Sequence, residues 1–235
     1  MTVSRVVNKE DNVRPSTREA VNRAIKELGY RPNKAARSLA SANPMTVGLV
    51  YINPNNSYFS AMMRGLLDRA RHADTHVIIE ECEEGPDTLR TITEMYENGV
   101  DGFMLGPPLC DSRDTLEMLE KKRIPAVTIG SRHDFELVSA VSIDDRKAAS
   151  ELTAFLISLG HRRIAYVNGN PEQSASWLRL EGYKAALLEA GLEVDEDLII
   201  QGRFAYRSGT EAADILLDLA ERPTAIIACN DDMAA

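Results

Sequence analysis

The run TVGLVYI at residues 46–52, followed by the polar stretch NPNNSYF at residues 53–59, sets the pattern for most of the chain. A strand covered by helices on both faces is a continuous apolar run, and such strands belong to parallel sheets. Similar runs follow: HVIIE (76–80), GFML (102–105), AVTI (126–129), AVSI (140–143), IAYVNG (164–169), LIIQG (198–202) and AIIAC (225–229). Helix-prone stretches lie between most of them, at 59–73, 88–97, 111–122, 146–159, 175–190 and 208–220. The pattern predicts a parallel α/β fold, arranged as one sheet or as two similar lobes.

The composition is that of a globular protein: 44% of the 235 residues are hydrophobic and 27% are charged. No apolar run approaches the roughly 18 residues that a membrane span needs, and the N-terminus lacks the apolar core of a signal peptide. We therefore expect a cytoplasmic protein with no membrane partner. The three cysteines are far apart and lack metal-ligand spacing, which is typical of structural thiols in a reducing compartment.

Charge is distributed unevenly along the chain. Residues 1–43 hold nine Lys and Arg against four acidic residues, whereas the net charge of the whole chain is −9. A small basic module on an acidic body favours a polyanion as the partner of that module alone. A solvated basic face without a partner explains the charge equally well by itself.

The N-terminal module contains three helix-prone stretches. In TVSRVVN at 2–8 the valines recur at helical spacing, and short or cationic polar side chains occupy the opposite face. STRE at 16–19 is a capping-box pattern that predicts a helix capped by Ser16, with an apolar stripe over 20–28 and a stop at Gly29. NKAARSLASAN at 33–43 holds one large apolar residue, Leu39, which suits contact with a partner chain or insertion into a minor groove.

These stretches resemble the start of the LacI/GalR family of bacterial transcription repressors. TVSRVVN, STREAVNRAIKELGYRPN and ARSLA are similar to part of the recognition helix, the third helix and the hinge helix of that family. The resemblance implies a partial all-α helix-turn-helix DNA-binding domain at 1–32 and a hinge helix and linker at 33–44. It places Arg5 at a base edge and Leu39 in the minor groove. The DNA-binding candidates it implies are Thr2, Ser4, Arg5, Asn8, Asn33, Ala36 and Leu39.

The resemblance also implies that parts of the family's chain are missing here. The family's first helix, its turn and the opening of its recognition helix would precede Met1, so we expect weakened or lost operator binding. NDDMAA at 230–235 matches a family segment that continues into another helix and several strands. We therefore expect a chain that is truncated at both ends, with an incomplete second lobe.

The same resemblance implies a two-lobed periplasmic-binding-protein type I fold, with an N-terminal lobe at 45–143 and a C-terminal lobe at 144–235. Ligands bind beyond the carboxyl ends of the strands in open parallel sheets, which directs attention to the residues after each apolar run. Aromatic rings, carboxylates, an amide and an arginine occur there, and a polyhydroxylated ligand needs these groups. The effector-binding candidates are Tyr58, Phe59, Asp144, Trp177, Arg179, Phe204, Asn230 and Asp231.

Most of these candidates also have a purely structural explanation. Tyr58, Phe59 and Phe204 would serve in lobe packing, because aromatic side chains are often half-buried. Asp144 and Asp231 would serve as helix N-caps, since both precede predicted helices. Arg179 is the strongest candidate, because an arginine inside a helix between two leucines requires an anionic or hydroxyl partner.

Neither catalysis nor transport is the expected function. The sequence lacks the GxSxG, GxxxxGKS/T, GxGxxG and HExxH motifs, and its two Asp-Asp doublets suit helix starts better than a metal site. A sugar-binding protein for transport remains the alternative, but it would carry a signal peptide and no basic helical module. We therefore expect a cytoplasmic, nucleoid-associated homodimeric repressor that binds operator DNA under allosteric control by a sugar-like effector, with no cofactor or metal.

Overall fold

The computed structural model describes residue 6 and residues 14–27, 44–52, 56–131 and 135–235. The chain divides into two compact units, residues 1–44 and residues 45–235. In the first unit Val6 is helical and only 5% exposed, as expected for the apolar face of TVSRVVN. The hinge helix, the predicted stop at Gly29 and all the DNA-binding candidates lie outside the described residues: Thr2, Ser4, Arg5, Asn8, Asn33, Ala36 and Leu39.

Helix α1 of the first unit spans Pro15–Glu27. The carbonyl oxygen of Arg14 accepts hydrogen bonds from the N–H groups of Thr17 and Arg18 at 3.1 and 3.0 Å, so Arg14 occupies the N-cap position. Proline is favoured as the first helical residue, because the N–H that it lacks would have no partner there. The predicted cap at Ser16 is therefore wrong, since Ser16 lies inside the first turn.

The second unit contains a parallel sheet with the strand order β2-β1-β3-β4-β5. Its strands are β1 (Thr46–Tyr51), β2 (His76–Glu81), β3 (Gly102–Leu105), β4 (Ala126–Ile129) and β5 (Val138–Val141). Helices α2 (Asn56–His72), α3 (Pro86–Glu97) and α4 (Arg113–Lys122) make the crossovers, and a 3₁₀ turn, Leu109–Asp111, precedes α4. Parallel neighbours need such crossovers because a short hairpin cannot join them.

A second parallel sheet follows along the chain, with the strand order β7-β6-β8. Its strands are β6 (Ile164–Asn168), β7 (Ile199–Gln201) and β8 (Ala225–Ala228), with a 3₁₀ turn, Glu196–Leu198, before β7. Its helices are α5 (Asp145–Ser158), α6 (Ser174–Glu189), α7 (Tyr206–Leu217) and α8 (Asp231–Ala234). None of the helices in the described ranges is both long and apolar enough to cross a membrane. The predicted two-lobed parallel α/β fold is confirmed.

Every predicted apolar run contributes to a strand, but one strand is displaced. The run AVSI at 140–143 was expected to form the fifth strand, whereas β5 covers Val138–Val141. Val138 is 3% exposed and pairs with Ala126, while Val141 and Ile143 are 59% and 63% exposed. The last two side chains line a cleft instead of the sheet core, so their apolar character gave the wrong register.

Each sheet has its own hydrophobic core. Buried aliphatic side chains from β1, β3, the helices beside them and the residues before β4 fill the first: Val50 is 1% exposed, and Ile92, Leu105, Leu119 and Ile124 are 0% exposed. In the second core the rings of Tyr166 and Tyr183 stack with centroids 4.9 Å apart. The Tyr183 hydroxyl donates to the carbonyl oxygen of Ile164 at 2.7 Å, so its buried polar end is satisfied.

Helices α5 and α6 approach each other at a glycine. A Cβ atom added at Gly182 would lie 2.0 Å from the carbonyl oxygen of Arg146 and 3.0 Å from the backbone nitrogen of Ser150. These obstacles are backbone atoms, which cannot move away without separating the helices. Gly182 therefore sets how closely α6 can approach α5, which begins directly beside the cleft described below.

We predict that Gly182→Ala lowers the free energy of unfolding by about 3 kcal/mol, because the added methyl group overlaps the α5 backbone. Gly65→Ala in α2 is the matched control: a Cβ there meets nothing within 4 Å, and alanine favours a helix over glycine by about 1 kcal/mol. Urea unfolding followed by circular dichroism measures both changes. Equal stability of the two variants would show that α5 and α6 are not packed as closely as described.

Candidate functional site

A cleft of about 840 Å³ lies where the two lobes of the second unit meet. Its walls come from the ends of the five strands of the first lobe and the segments that follow them, and from those of β6, β7 and β8 in the second. Open parallel sheets bind ligands at this edge, and the volume of the cleft suits a small molecule. Five of the predicted effector-binding residues line it: Tyr58, Phe59, Arg179, Phe204 and Asn230.

Arg179 joins three elements at the base of the cleft. From the second turn of α6, its Nε donates to Oδ1 of Asp145 at 2.7 Å, and Nη1 donates to the carbonyl oxygen of Cys229 at 2.5 Å. Asp145 is the first residue of α5, and Cys229 directly follows β8. The arginine therefore ties both helices to the end of β8, and its side chain also lines the cleft.

The Arg179–Asp145 pair is shielded from solvent. The side chain of Asp145 is 3% exposed and that of Arg179 is 28% exposed. Burial by itself would lower the pKa of Arg179, but the hydrogen bond that it donates to Asp145 and the proximity of Cys229 raise this pKa above its ordinary value. The guanidinium therefore stays charged, and each charge compensates the other in a site from which water is largely excluded.

The first lobe contributes two adjacent aromatic side chains from the first turn of α2. Burial raises the pKa of Tyr58, and the nearby Cys110 thiol raises it further, so the phenol keeps its proton and remains a donor. The ring of Phe59 packs against that of Tyr51, with centroids 4.8 Å apart. Apolar ring surface and a hydroxyl group therefore occur side by side on one wall, which suits the mixed surface of a sugar.

The second lobe contributes Phe204, which has the left-handed backbone conformation with a φ of 60°. Its ring lies against Gly169 at the end of β6, where an added Cβ would be 2.1 Å from the ring carbon Cζ. The side chain of Asn230 donates from Nδ2 to the carbonyl oxygen of Phe204 at 3.2 Å. Aromatic surface is thereby fixed on the wall opposite the lobe that carries Tyr58 and Phe59.

Three predicted effector-binding residues lie elsewhere. The Asp144 side chain accepts a hydrogen bond from the N–H of Lys147 at 3.1 Å, as the N-cap of α5. Trp177 is 50% exposed and does not line the cleft. Asp231 is the first residue of α8, whose N-cap is Asn230, so Asp231 neither lines the cleft nor caps the helix.

The sequence interpretation missed carboxylates next to those that it selected. Asp145 and Asp232 line the cleft, each one residue after a predicted candidate.

The Ser57 hydroxyl in the first lobe donates to Oδ1 of Asp232 in the second at 3.0 Å. Asp111, which follows β3, accepts from the Ser131 hydroxyl at 2.7 Å and from the N–H of Ser174 in the second lobe at 3.1 Å. Hydrogen bonds at Asp232 and at Asp111 therefore cross between the lobes.

Within the part of the chain that the structure describes, no group of three or more His, Cys, Asp or Glu side chains is placed to hold a metal ion. The doublet Asp144–Asp145 separates into a helix cap and a partner of Arg179. Hydrogen-bonding groups and aromatic rings line the described part of the cleft, and the Arg179–Asp145 ion pair lies among them.

Two parallel α/β lobes with a polar and aromatic cleft between them define a type I periplasmic-binding-like protein. The family model for periplasmic binding proteins and the sugar binding domain of the LacI family matches residues 44–235. The model for bacterial regulatory proteins of the lacI family matches residues 1–33. The chain therefore belongs to the LacI family and is a transcriptional regulator, as the N-terminal stretches predicted.

Characterised relatives agree with this assignment. The chain is 38% identical over 237 residues to catabolite control protein A of Priestia megaterium, and 38% identical over 242 residues to the transcriptional regulator CelR of Thermobifida fusca. Each alignment covers 99% of this chain and 70% of the relative. The chain thus spans about 70% of the length of these regulators.

Solved structures of similar proteins have the same fold. A complex of the transcriptional regulator CelR with cellobiose is 36% identical, has a TM-score of 0.70 and is matched over 98% of this chain and 70% of its own. The lac repressor dimer bound to operator and an anti-inducer has a TM-score of 0.84 over 99% of this chain and 70% of its own. At 24% identity, the second likeness shows the fold alone.

We predict that Arg179→Met lowers the free energy of unfolding by about 3 kcal/mol, since it leaves the buried Asp145 carboxylate without its cation. Combining it with Asp145→Asn should recover more than half of that loss, because no charge then remains buried. Arg113→Met is the control: Arg113 also holds a carboxylate, that of Glu117, at 2.7 Å, but both side chains are exposed. Urea unfolding should show no change for the control. Additive losses in the double variant would contradict a coupled pair.

Proposed function

We propose that this chain is a DNA-binding transcriptional repressor whose affinity for operator DNA is controlled by a small, uncharged carbohydrate in the cleft. The observation that carries the proposal is the convergence of three aromatic rings from two lobes on the Arg179–Asp145 pair. Sugar rings offer an apolar face for stacking and hydroxyl groups for paired hydrogen bonds. The cellobiose found with CelR belongs to this chemical class.

The charges around the cleft favour a neutral ligand over a phosphorylated one. Its described lining holds the carboxylates of Glu84, Asp145 and Asp232 and the guanidinium groups of Arg179 and Arg203. Because Asp145 already compensates Arg179, little net positive charge remains for a dianionic phosphate. In this proposal Arg179 and Asp145 bind hydroxyl groups, and the rings of Tyr58 and Phe204 pack against the sugar.

The proposed mechanism is allosteric. Hydrogen bonds from Ser57 to Asp232 and from Ser174 to Asp111 stabilise one arrangement of the two lobes. A sugar that contacts both lobes changes that arrangement. Lobe arrangement then controls the pairing of hinge helices at 33–44 in a homodimer, and so the fit of the domain at 1–32 to DNA. There Arg5 reads a base edge and Leu39 inserts into the minor groove. Thr2, Ser4, Asn8, Asn33 and Ala36 supply the remaining contacts.

The remaining features of the proposal follow from the family. The protein acts in the cytoplasm on the nucleoid, performs no catalysis and uses its two lobes, 45–143 and 144–235, for effector binding alone. A transport protein would share the lobes, but the match of residues 1–33 to the regulatory helical module favours the repressor.

Fluorescence titration tests the effector site, because the single tryptophan, Trp177, lies on α6 two residues before Arg179. We expect at least one of glucose, cellobiose and ribose to change its emission saturably, and glucose 6-phosphate to bind at least about tenfold more weakly than glucose. The Asp145→Asn, Arg179→Met double variant should lose at least about tenfold in affinity, because both hydrogen-bonding groups of the pair are changed.

Arg113→Met serves again as the control and should bind like the wild type. Equal affinity of the double variant and the wild type would remove the pair from the site. Saturable binding of none of the three neutral sugars, with tight binding of glucose 6-phosphate, would contradict the proposed ligand class.

A further inference from the structure

The backbone of Phe204 is held in a conformation that its side chain disfavours. A φ of 60° brings Cβ close to the carbonyl group of the preceding residue, which costs a residue other than glycine about 1 kcal/mol or more. Phe204 lies in the short segment between β7 and α7. A conformation with this cost persists where surrounding contacts hold it.

Asn230 supplies one such contact through both ends of its amide. Its Oδ1 accepts from the N–H of Met233 at 3.1 Å and caps α8, while Nδ2 donates to the carbonyl oxygen of Phe204 at 3.2 Å. The cap fixes the rotation of the amide and so aims the N–H at Phe204. Serine or aspartate could still accept from Met233, but neither could donate from the other end of the group in the same way.

The ring of Phe204 is restrained by the backbone on which it lies. Gly169 leaves room for it at the end of β6, since an added Cβ would overlap the ring at 2.1 Å from Cζ. The side chain of Gln201 reinforces this arrangement by donating from Nε2 to the carbonyl oxygens of Gly169 and Gly202. The ring position therefore depends on the backbone angle that Asn230 stabilises.

We propose that Asn230 is a positioning residue for effector recognition: it holds Phe204 in the left-handed conformation and thereby keeps the ring in place for stacking on a sugar. This inference rests on the proposed function, because the ring acts on the ligand that the cleft binds. It assigns most of the effect of Asn230 on affinity to the Phe204 carbonyl bond and not to contact with the sugar.

A double-mutant cycle with Asn230→Ser and Phe204→Gly tests the proposal. Serine keeps a cap for α8, and glycine adopts a φ of 60° without strain but has no ring. With glucose, cellobiose and ribose as probes, we expect Asn230→Ser to weaken binding about tenfold in the wild-type background. In the Phe204→Gly background it should weaken binding by less than about twofold, because there is no ring to position.

Hydrogen exchange of the ligand-free protein supplies a second readout. Asn230→Ser should accelerate exchange in peptides that cover residues 203–209, where the N–H of Arg203 donates to the Ser208 hydroxyl at 3.0 Å. Ser112→Ala, which removes the cap of α4 in the other lobe, is the control and should leave this segment and the sugar affinity unchanged.

The outcomes separate the two proposals. An equal loss of affinity from Asn230→Ser in both backgrounds would show direct contact with the sugar and overturn the positioning role, as would unchanged exchange at 203–209. If none of the three sugars binds the wild type, the proposed ligand class fails, and exchange alone decides whether Asn230 holds the Phe204 segment.

Discussion

The buried pair between Arg179 and Asp145 is the interaction on which the rest of the cleft depends. The charges of Arg179 and Asp145 are both shielded from solvent, so each must be compensated by the other. Asp145 does so as the first residue of α5, the helix that begins the second lobe. The hydrogen bond from Arg179 to the carbonyl oxygen of Cys229 then fixes the end of β8 and the short helix after it. The positions of α5, α6 and α8 are thereby tied to one side chain, and each of these helices brings a residue to the cleft.

The two lobes contribute different groups to the cleft. The second lobe holds the ion pair, the amide of Asn230 and the ring of Phe204 on a rigid framework, whereas the first lobe adds the rings of Tyr58 and Phe59 from one helix start. Hydrogen bonds at Asp232 and Asp111 cross between the two lobes. Hydrogen bonds to exposed or half-exposed groups are individually weak, so a ligand that bridges the lobes can alter their arrangement.

Periodicity in the sequence located the strands and helices, whereas the division into two lobes came from the family resemblance and some side-chain directions were not predicted. Continuous apolar runs located the strands, and the ends of those runs located the cleft, because both depend on sheet geometry alone. Asp145 and not Asp144 lines the cleft, because an N-cap side chain turns back to its own helix while the next one points away. Trp177 and Arg179 are two residues apart and therefore about 200° apart around a helix, so both could not face one cleft. The backbone angle of Phe204 depends on a distant amide, which no local pattern reveals.

Coupling between sugar and DNA is the central claim, and one equilibrium measurement tests it most directly. Fluorescence anisotropy of a labelled duplex, selected from a random pool by the full chain, gives the DNA affinity with and without a saturating concentration of the sugar that binds most tightly. The account predicts a change in DNA affinity of about 5-fold to 150-fold, as is typical of allosteric coupling. The same affinity in both conditions would contradict control of DNA binding by the cleft.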